Sequence, residues 1–504
     1  MIKNLLANFV GRFWNILAVY TFTPIYIQLL GIDNFGLISF YTIILSFVSL
    51  MDVGLSATLS REFAKSSSKD SQDDKLITLK TLEIVYFFVV IIFVILFISF
   101  SDLITTNWLN IQTVSVQKAK VCIRYMGIMA AAQIMINFYI GGLIGVEKQV
   151  KANLILIALG VLRSAVVILI LLQWESDIKS FFLWQMSVTL LFVFIFRFML
   201  IFTITNKYFL PNDILFNKEK LKSVGSFAGG MFLIGIVASI NTQIDKLIIS
   251  KVMSIQDLGY YTLATTLSQV VLVIAGPFTT VFLPRFTNLY AINKRELAEN
   301  QFHIFLKLMS SILAPLSLAL ILFAMPILIL WTHNHILGEK CVHFIPFTII
   351  GTFALVSQIP SFCVILANGY TKLNNIIGIC SIFFTVPAYY CGIKHFGAIA
   401  AAICWCFSQL IITIIFNFFV NKRYFVGEAM WRWFIKDVIL PAIIALAIIF
   451  PFYFLYQLYS PNSYVTLFWI FLSLISSIIG TLAFIFKLKN WKDIKLNILD
   501  KINT

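Results

Sequence analysis

Residues 26–37 read YIQLLGIDNFGL, and residues 249–260 read ISKVMSIQDLGY. At an offset of 223 positions (255 − 32), Ile32 falls on Ile255, Asn34 on Asp257 and Gly36 on Gly259. Each stretch is a tight, acidic, Gly-ended turn between two long apolar runs. Arg61 in LSREF and Arg285 in LPRF close the second run of each pair within one residue of the same offset. One short match could arise by chance, but it coincides with six apolar spans in each half of the chain. The pattern therefore predicts a duplicated six-helix set. Because six is even, the two sets start from the same side of the membrane. They are parallel repeats about an axis along the membrane normal, with a site expected where the halves meet.

Composition agrees with a membrane chain. Of 504 residues, 60% are hydrophobic and 12% charged, with 50 phenylalanines and a mean hydropathy of +0.94. Soluble domains run near 45–50% apolar and about 25% charged, and a bilayer-spanning helix needs about 20 apolar residues. Runs of that length recur at 8–30, 36–60, 80–104, 119–145, 152–173, 179–205, 225–249, 257–283, 303–331, 340–367, 373–394, 396–420, 437–459 and 464–486. The expected fold is an all-α polytopic membrane protein of about fourteen transmembrane helices. It divides into an N-terminal six-helix lobe (1–206), a cytoplasmic linker (207–224) and a C-terminal six-helix lobe (225–421). Two extra helices with a basic cytoplasmic tail (422–504) complete the chain.

The net charge of +15 has its explanation in topology rather than in nucleic acid. With the N-terminus inside, the predicted cytoplasmic segments hold about 25 Lys and Arg and the outer loops about 5, as the positive-inside rule requires. Both termini are expected in the cytoplasm. No loop carries a GxxxxGK[ST] phosphate loop, and no outer loop exceeds about 15 residues, too short for a folded external domain. The seven cysteines form no CxxC pair, so neither a disulfide framework nor a metal site is expected, and no cofactor is implied. The first apolar run lacks the short core and small-residue cleavage site of a signal peptide.

Ionisable groups inside spans cost about 2.5–3.5 kcal/mol each near a helix centre and call for an explanation. The set is Arg12, Asp52, Arg124, Arg163, Arg197, Asp245 and Lys246. Arg163 stands out because it lies mid-span, too deep for easy snorkelling; a cavity role and a buried ion pair are its two explanations. Arg124, Arg197 and Arg12 lie nearer to span ends and could snorkel. Asp52 could carry a proton or ion, or pair with Arg12. Asp245 shares a helical face with Asn241 at i, i+4, and Lys246 could serve a site or reach the headgroups. The five histidines sit at span ends, where interfacial placement accounts for them. Amides within spans (Asn137, Gln185, Gln243, Gln269, Gln358, Gln409) suit helix-to-helix hydrogen bonds. In the first half four arginines face one aspartate, a balance that favours an anion, and arginine suits bidentate phosphate contacts.

The order and spacing of NFVGRFWN, TPIYIQLLGIDNFGLISFY, MDVGLSATLSREFAK, NTQIDKLIISKVMSIQDLGYY and FLPRF resemble the polysaccharide-transport branch of the multidrug/oligosaccharidyl-lipid/polysaccharide exporter superfamily. These are the O-antigen (Wzx-type) flippases, and the resemblance covers roughly residues 1–420. It implies two six-helix lobes in a V. It also implies flipping of an undecaprenyl-pyrophosphate-linked glycan from the inner to the outer leaflet of the bacterial cytoplasmic membrane, driven by an H⁺ or Na⁺ gradient. Partners so implied are that lipid-linked glycan, membrane lipid and glycan polymerase machinery. Substrate contacts would come from Arg163, Arg124, Arg197, Lys246 and Arg12, and ion coupling from Asp52 and Asp245. The extra pair at 437–486 departs from the twelve-span pattern and is shared with lipid II flippases.

Two rivals remain at this stage. A drug or organic-cation antiporter of the same superfamily needs acidic cavity groups, and the first lobe is net basic. A membrane glycan polymerase or ligase resembles others of its kind in carrying a large outer loop, which this chain lacks.

Overall fold

A computed structural model describes residues 2–65, 71–173, 176–207, 216–425, 427, 429–459 and 463–486, with side chains described outside 2–13, 15, 50–55, 57, 65, 71, 220, 223–234 and 371. The described chain is helical throughout. In order it forms α1 (Ile2–Leu30), α2 (Ile32–Lys65), α3 (Ser71–Ser99), α4 (Val116–Gly145), α5 (Gln149–Gln173), α6 (Ile178–Thr205), α7 (Lys218–Val252) and α8 (Ile255–Ala291). Then follow α9 (Arg295–Leu322), α10 (Ile345–Ala367), α11 (Thr371–Phe396), α12 (Ala398–Tyr424), α13 (Met430–Tyr459) and α14 (Ser463–Phe486). Among the described residues no strand forms, and a lone β-bridge joins Asn110 to Ser254. Twelve of these helices are long and apolar enough to cross a membrane; α1 contributes the shorter apolar stretch Ile16–Leu30, and α7 is outside the twelve.

The observed helices overrun the predicted spans, because an α-helix continues past the apolar slab wherever its backbone can still bond along its own axis. One residue, Gly31, separates α1 from α2, with φ +83, a left-handed angle that glycine adopts at little cost. Gly397, with φ +73, divides α11 from α12 in the same way, inside the predicted 373–420 region. The predicted spans 303–331 and 340–367 are arranged differently. After α9 the chain forms Ala324–Thr332, turns at His333 in a left-handed conformation, forms His335–Val342, and only then enters α10.

Contacts divide the chain into two compact units, Met1–Gly259 and Tyr260–Thr504. The expected division falls after residue 206, whereas by contacts α7 belongs with the first unit, where it packs along α2. In that unit α2 lies between α4 and α7, and α4 also packs on α3 and α6. Glycines allow the α2–α4 approach. A Cβ on Gly141 would lie 2.5 Å from the carbonyl oxygen of Ser56, and one on Gly145 would lie 2.7 Å from that of Ser60. Membrane helices commonly pack through small residues in this way. The lipid-facing character of α3 is direct: Phe87, Phe88, Ile92 and Ile95 are each more than half exposed.

In the second unit α9 is central, packing on α10, α13 and α14. Of the last two helices, α13 is tied to the end of α9 by aromatic contact, with Phe323 edge-on to Tyr453 and Tyr456 at 5.4 Å each. An ion cluster adds to this: the buried Asp437 takes His303 Nδ1 at 2.6 Å and Lys307 Nζ at 3.4 Å. His303, expected at the interface, thus also has a specific side-chain partner. The amide prediction holds for Gln358 and Gln409, which bond each other at 3.4 Å between α10 and α12.

Candidate functional site

The first unit holds an unusual stretch of backbone in the middle of α5. Residues Leu162–Val166 form a π turn, which leaves carbonyls without their regular helical partners. Such turns cluster at functional sites. Three consecutive carbonyls accept side-chain donors from two other helices. Trp184 Nε1 bonds Leu162 O at 2.9 Å, Gln185 Nε2 bonds Arg163 O at 2.7 Å, and Tyr26 OH bonds Ser164 O at 2.9 Å. Helices α1 and α6 therefore hold the distorted turn in place. Rings brace the donors, with Tyr26 edge-on to Phe181 at 5.3 Å.

Arg163 projects from this turn. Its Nε donates to Gln185 Oε1 at 2.8 Å, one guanidinium nitrogen to Gln133 Oε1 at 3.5 Å and the other to Tyr41 OH at 3.4 Å. Gln133 is held in turn by donating to Asn137 Oδ1 at 2.8 Å, and the buried Tyr41 ring rests edge-on against Phe182 at 6.0 Å. Every described partner is neutral. Among the described residues Arg163 has no ion pair, so its full positive charge remains inside a span. A guanidinium carries five N–H donors, and two of the three bonds here are long. The half-buried group is fixed in orientation yet retains capacity for an anionic oxygen. Gln185 and Asn137 do serve as interhelical or intrahelical bonding groups, and here they also hold the arginine.

The other predicted cations have different fates. Arg197 is neutralised: its Nε reaches Glu83 Oε1 at 2.6 Å and its Nη2 reaches Glu83 Oε2 at 3.4 Å, while Tyr139 OH donates to the same Oε1 at 2.6 Å. Arg124 donates from Nε to Ser101 Oγ at 3.1 Å. Near it Lys120 pairs with Asp102, and Lys118 with Asp177 at 3.2 Å. Lys246 and Asp245 are adjacent and both buried in α7, at 7% and 5% exposure; the Asp245 carboxylate is the charge acting on Lys246. Asn241 bonds back to Val237 O at 2.9 Å. The side chains of Arg12 and Asp52 lie outside the described residues.

The three arginines do not converge. Each is read out by a different position of α4: Arg124 lies on it, Arg163 meets its Gln133, and Arg197 meets the carboxylate bound to its Tyr139. At about 1.5 Å of rise per residue, these levels are separated by about 13 Å and about 9 Å. Sequence reasoning overlooked Glu83, which lies three residues into a predicted span, and Gln133 and Tyr41, whose importance appears only once Arg163 is placed. Among the described residues no three His, Cys, Asp or Glu side chains could hold a metal ion.

Comparison with known proteins adds to this geometry. A family profile described as polysaccharide biosynthesis protein matches residues 1–290, and one described as MatE matches residues 231–391. Among solved structures, lipid II flippase MurJ in an inward closed conformation is 15% identical, covers 97% of this chain and 99% of its own, and gives a TM-score of 0.70. An inward-facing multidrug resistance MATE family transporter of the MOP superfamily is 16% identical over 81% of this chain and 94% of its own, with a TM-score of 0.63. A MOP superfamily transporter from Pyrococcus furiosus is 15% identical over 84% and 94%, with a TM-score of 0.54. At these identities the likeness is one of fold. No curated protein matches the chain in sequence.

Proposed function

Because the chain belongs to the polysaccharide biosynthesis protein family, in the polysaccharide-transport branch of the MOP exporter superfamily, we propose that it flips an undecaprenyl-pyrophosphate-linked oligosaccharide. The protein is a transporter rather than an enzyme. The cargo, an O-antigen or capsule repeat unit, crosses the bacterial cytoplasmic membrane from the inner to the outer leaflet by alternating access coupled to an H⁺ or Na⁺ gradient. Both termini lie in the cytoplasm, as the distribution of Lys and Arg supports, which places the α1–α2 turn outside.

The observation that carries this reading is the state of Arg163. A cation deep in a span, with only neutral described partners, is a costly arrangement that a passing anion makes useful. Its planar fork matches a phosphate or a carboxylate. The surrounding Gln133, Gln185 and Tyr41 offer the neutral donors and acceptors that sugar hydroxyls bond. The pyrophosphate or an acidic sugar enters this site while the polyprenyl tail stays in lipid.

The rival reading, a drug antiporter, draws support from the MatE match over 231–391. Cationic drugs require uncompensated carboxylates, yet in the first unit Glu83, Asp102 and Asp177 are each paired with Arg or Lys. That distribution favours the anionic cargo. The test is Arg163→Ala in a flippase-null strain: the variant inserts normally and exports no glycan. Full complementation by it overturns the anion-site reading.

A further inference from the structure

The start of α13, in the second unit, is seated on one side and exposed on the other. Trp433, 2% exposed, donates from Nε1 to Asn421 Oδ1 of α12 at 2.8 Å and meets Phe302 of α9 edge-on at 5.3 Å. One turn further on, Asp437 is taken by His303 and Lys307 of α9. The other side carries Trp431, Ile435, Ile439 and Ile443, each 40% exposed or more. Arg432 and Lys436 follow the first two of these in sequence and are exposed as well.

A π turn, Ile435–Ile439, sets the alignment of both sides. The buried positions are Trp433, Pro441, Ala445 and Ile449. At about 100° per residue, unbroken α-helix would spread them over about 160° of azimuth. Discounting the one residue that a π turn takes up gathers them within about 80°. The same correction brings Trp431, Ile435, Ile439 and Ile443 within about 60°, on the opposite side. The result is a straight apolar stripe with two cations, four residues apart, along one flank of its foot.

The dimensions and charge of this face suit a lipid. From Trp431 to Ile443 the stripe rises about 16 Å, close to one leaflet's share of a hydrocarbon core about 30 Å thick. With both termini inside, its cationic foot lies at the inner surface, where an exposed Trp also belongs. Asp437 is the only carboxylate in α13, and it is buried against α9, so the exposed flank is cationic. Exposed Lys422 and Arg423 at the end of α12 add to the same field. The positive-inside rule accounts for the sign of these charges. It does not account for two cations fixed one turn apart on a rigidly seated helix, below an apolar track of leaflet length.

We propose that the opening turns of α13 are a binding site for an anionic glycerophospholipid of the inner leaflet. Its phosphate lies against Arg432 and Lys436, and an acyl chain lies along Trp431, Ile435, Ile439 and Ile443. Basic positions at the inner surface are where anionic headgroups are attracted. A soluble anion would use the cations and leave the stripe idle, whereas a zwitterionic lipid would use the stripe and gain little from the cations.

The test reads binding alone, so it stands whether or not the protein flips a glycan. Full-length protein in mild detergent is titrated with phosphatidylglycerol, and with phosphatidylcholine of the same chains, and bound lipid is read by native mass spectrometry. Phosphatidylglycerol should bind saturably and phosphatidylcholine should not. The pair Arg432→Gln and Lys436→Gln should weaken phosphatidylglycerol binding about thirtyfold, the effect of two interfacial charges. The matched pair Lys148→Gln and Lys151→Gln, exposed at the α4–α5 turn, should leave it unchanged. Equal binding of the two lipids, no loss in the α13 variant, or an equal loss in the matched pair overturns the site. Two competitors fix the occupant. Displacement by glycerol phosphate would reveal a site for a free anion, and preferential displacement by undecaprenyl phosphate would reveal a docking place for cargo; either result overturns the phospholipid assignment.

Discussion

Arg197 and Glu83 join α6 to α3 through a two-pronged ion pair, Nε to Oε1 at 2.6 Å and Nη2 to Oε2 at 3.4 Å, with Tyr139 of α4 donating to the first of those oxygens. Three helices share one carboxylate. Removing one partner of a buried pair costs about 3–5 kcal/mol, and partial exposure of Arg197, 29% of its side chain, lowers the expected loss to about 2 kcal/mol. Arg197→Ala and Glu83→Gln should each lower the unfolding midpoint in detergent. The double variant should recover part of the loss, as a double-mutant cycle will register.

Arg163→Lys tests a different property of a cation. Lysine keeps the charge but loses the planar fork that reaches Gln185, Gln133 and Tyr41 together. Loss of one charge-assisted contact of about 1.5–3 kcal/mol predicts glycan export reduced roughly ten- to a hundredfold in a complementation titration. Retention of full export by the lysine variant would mean that charge alone suffices.

The π turn of α5 is held by donors that can be deleted one at a time. Trp184→Phe and Tyr26→Phe each remove a single hydrogen bond to a turn carbonyl and should each cost about 1 kcal/mol of stability. Gln185→Leu removes both a donor to Arg163 O and an acceptor for Arg163 Nε. It should lower export as well as the unfolding midpoint, whereas the two aromatic variants should affect chiefly the latter.

Asp437 fastens α13 to α9 through His303 and Lys307 while only 1% exposed. Asp437→Ala removes the carboxylate that both His303 Nδ1 and Lys307 Nζ contact and should cost about 3 kcal/mol. The expected signature is faster proteolysis between α12 and α13, with the first unit's fragments unaltered. A protease pattern identical to wild type would show that aromatic packing alone fixes α13.

Close approach of α2 and α4 gives the sharpest steric expectation. Gly145→Val places carbon against Ser60 O, where even a Cβ would sit at 2.7 Å. Overpacking of this kind costs about 1–3 kcal/mol or more. Yield of folded, detergent-stable protein should fall well below that of the matched Ile144→Val, whose side chain is exposed.

The helical plan was written in the sequence because a span has no alternative in lipid: its backbone must bond within itself, and apolar length reveals it. The turn at Gly31 and the break at Gly397 were legible for a related reason, since glycine marks left-handed angles. Arg163 was legible by depth alone. What surrounds it was not, because Gln133, Tyr41 and Gln185 come from three helices whose facing sides no short-range pattern specifies. Arg197 looked like a site cation only because Glu83, 114 positions away, was not weighed as its neutralising partner. The π turns left no compositional trace at all, and so the reason for Arg163's fixed orientation was invisible.

That turn in α5 also resets the helix's phase. Buried positions along it are Ala152, Leu159, Val167 and Leu171. At about 100° per residue, uninterrupted α-helix would scatter these four over about 120° of azimuth. Discounting the one residue that a π turn takes up brings them back within about 40°. The surplus residue is thus absorbed without rotating the lower half of the helix out of its socket. Seen this way, α5 is an ordinary spanning helix carrying a single-residue insertion, and the insertion is what turns a guanidinium toward its neighbours. Shortening the chain by one at Ala165 should leave both halves of α5 seated while erasing the loop-out that presents the charge.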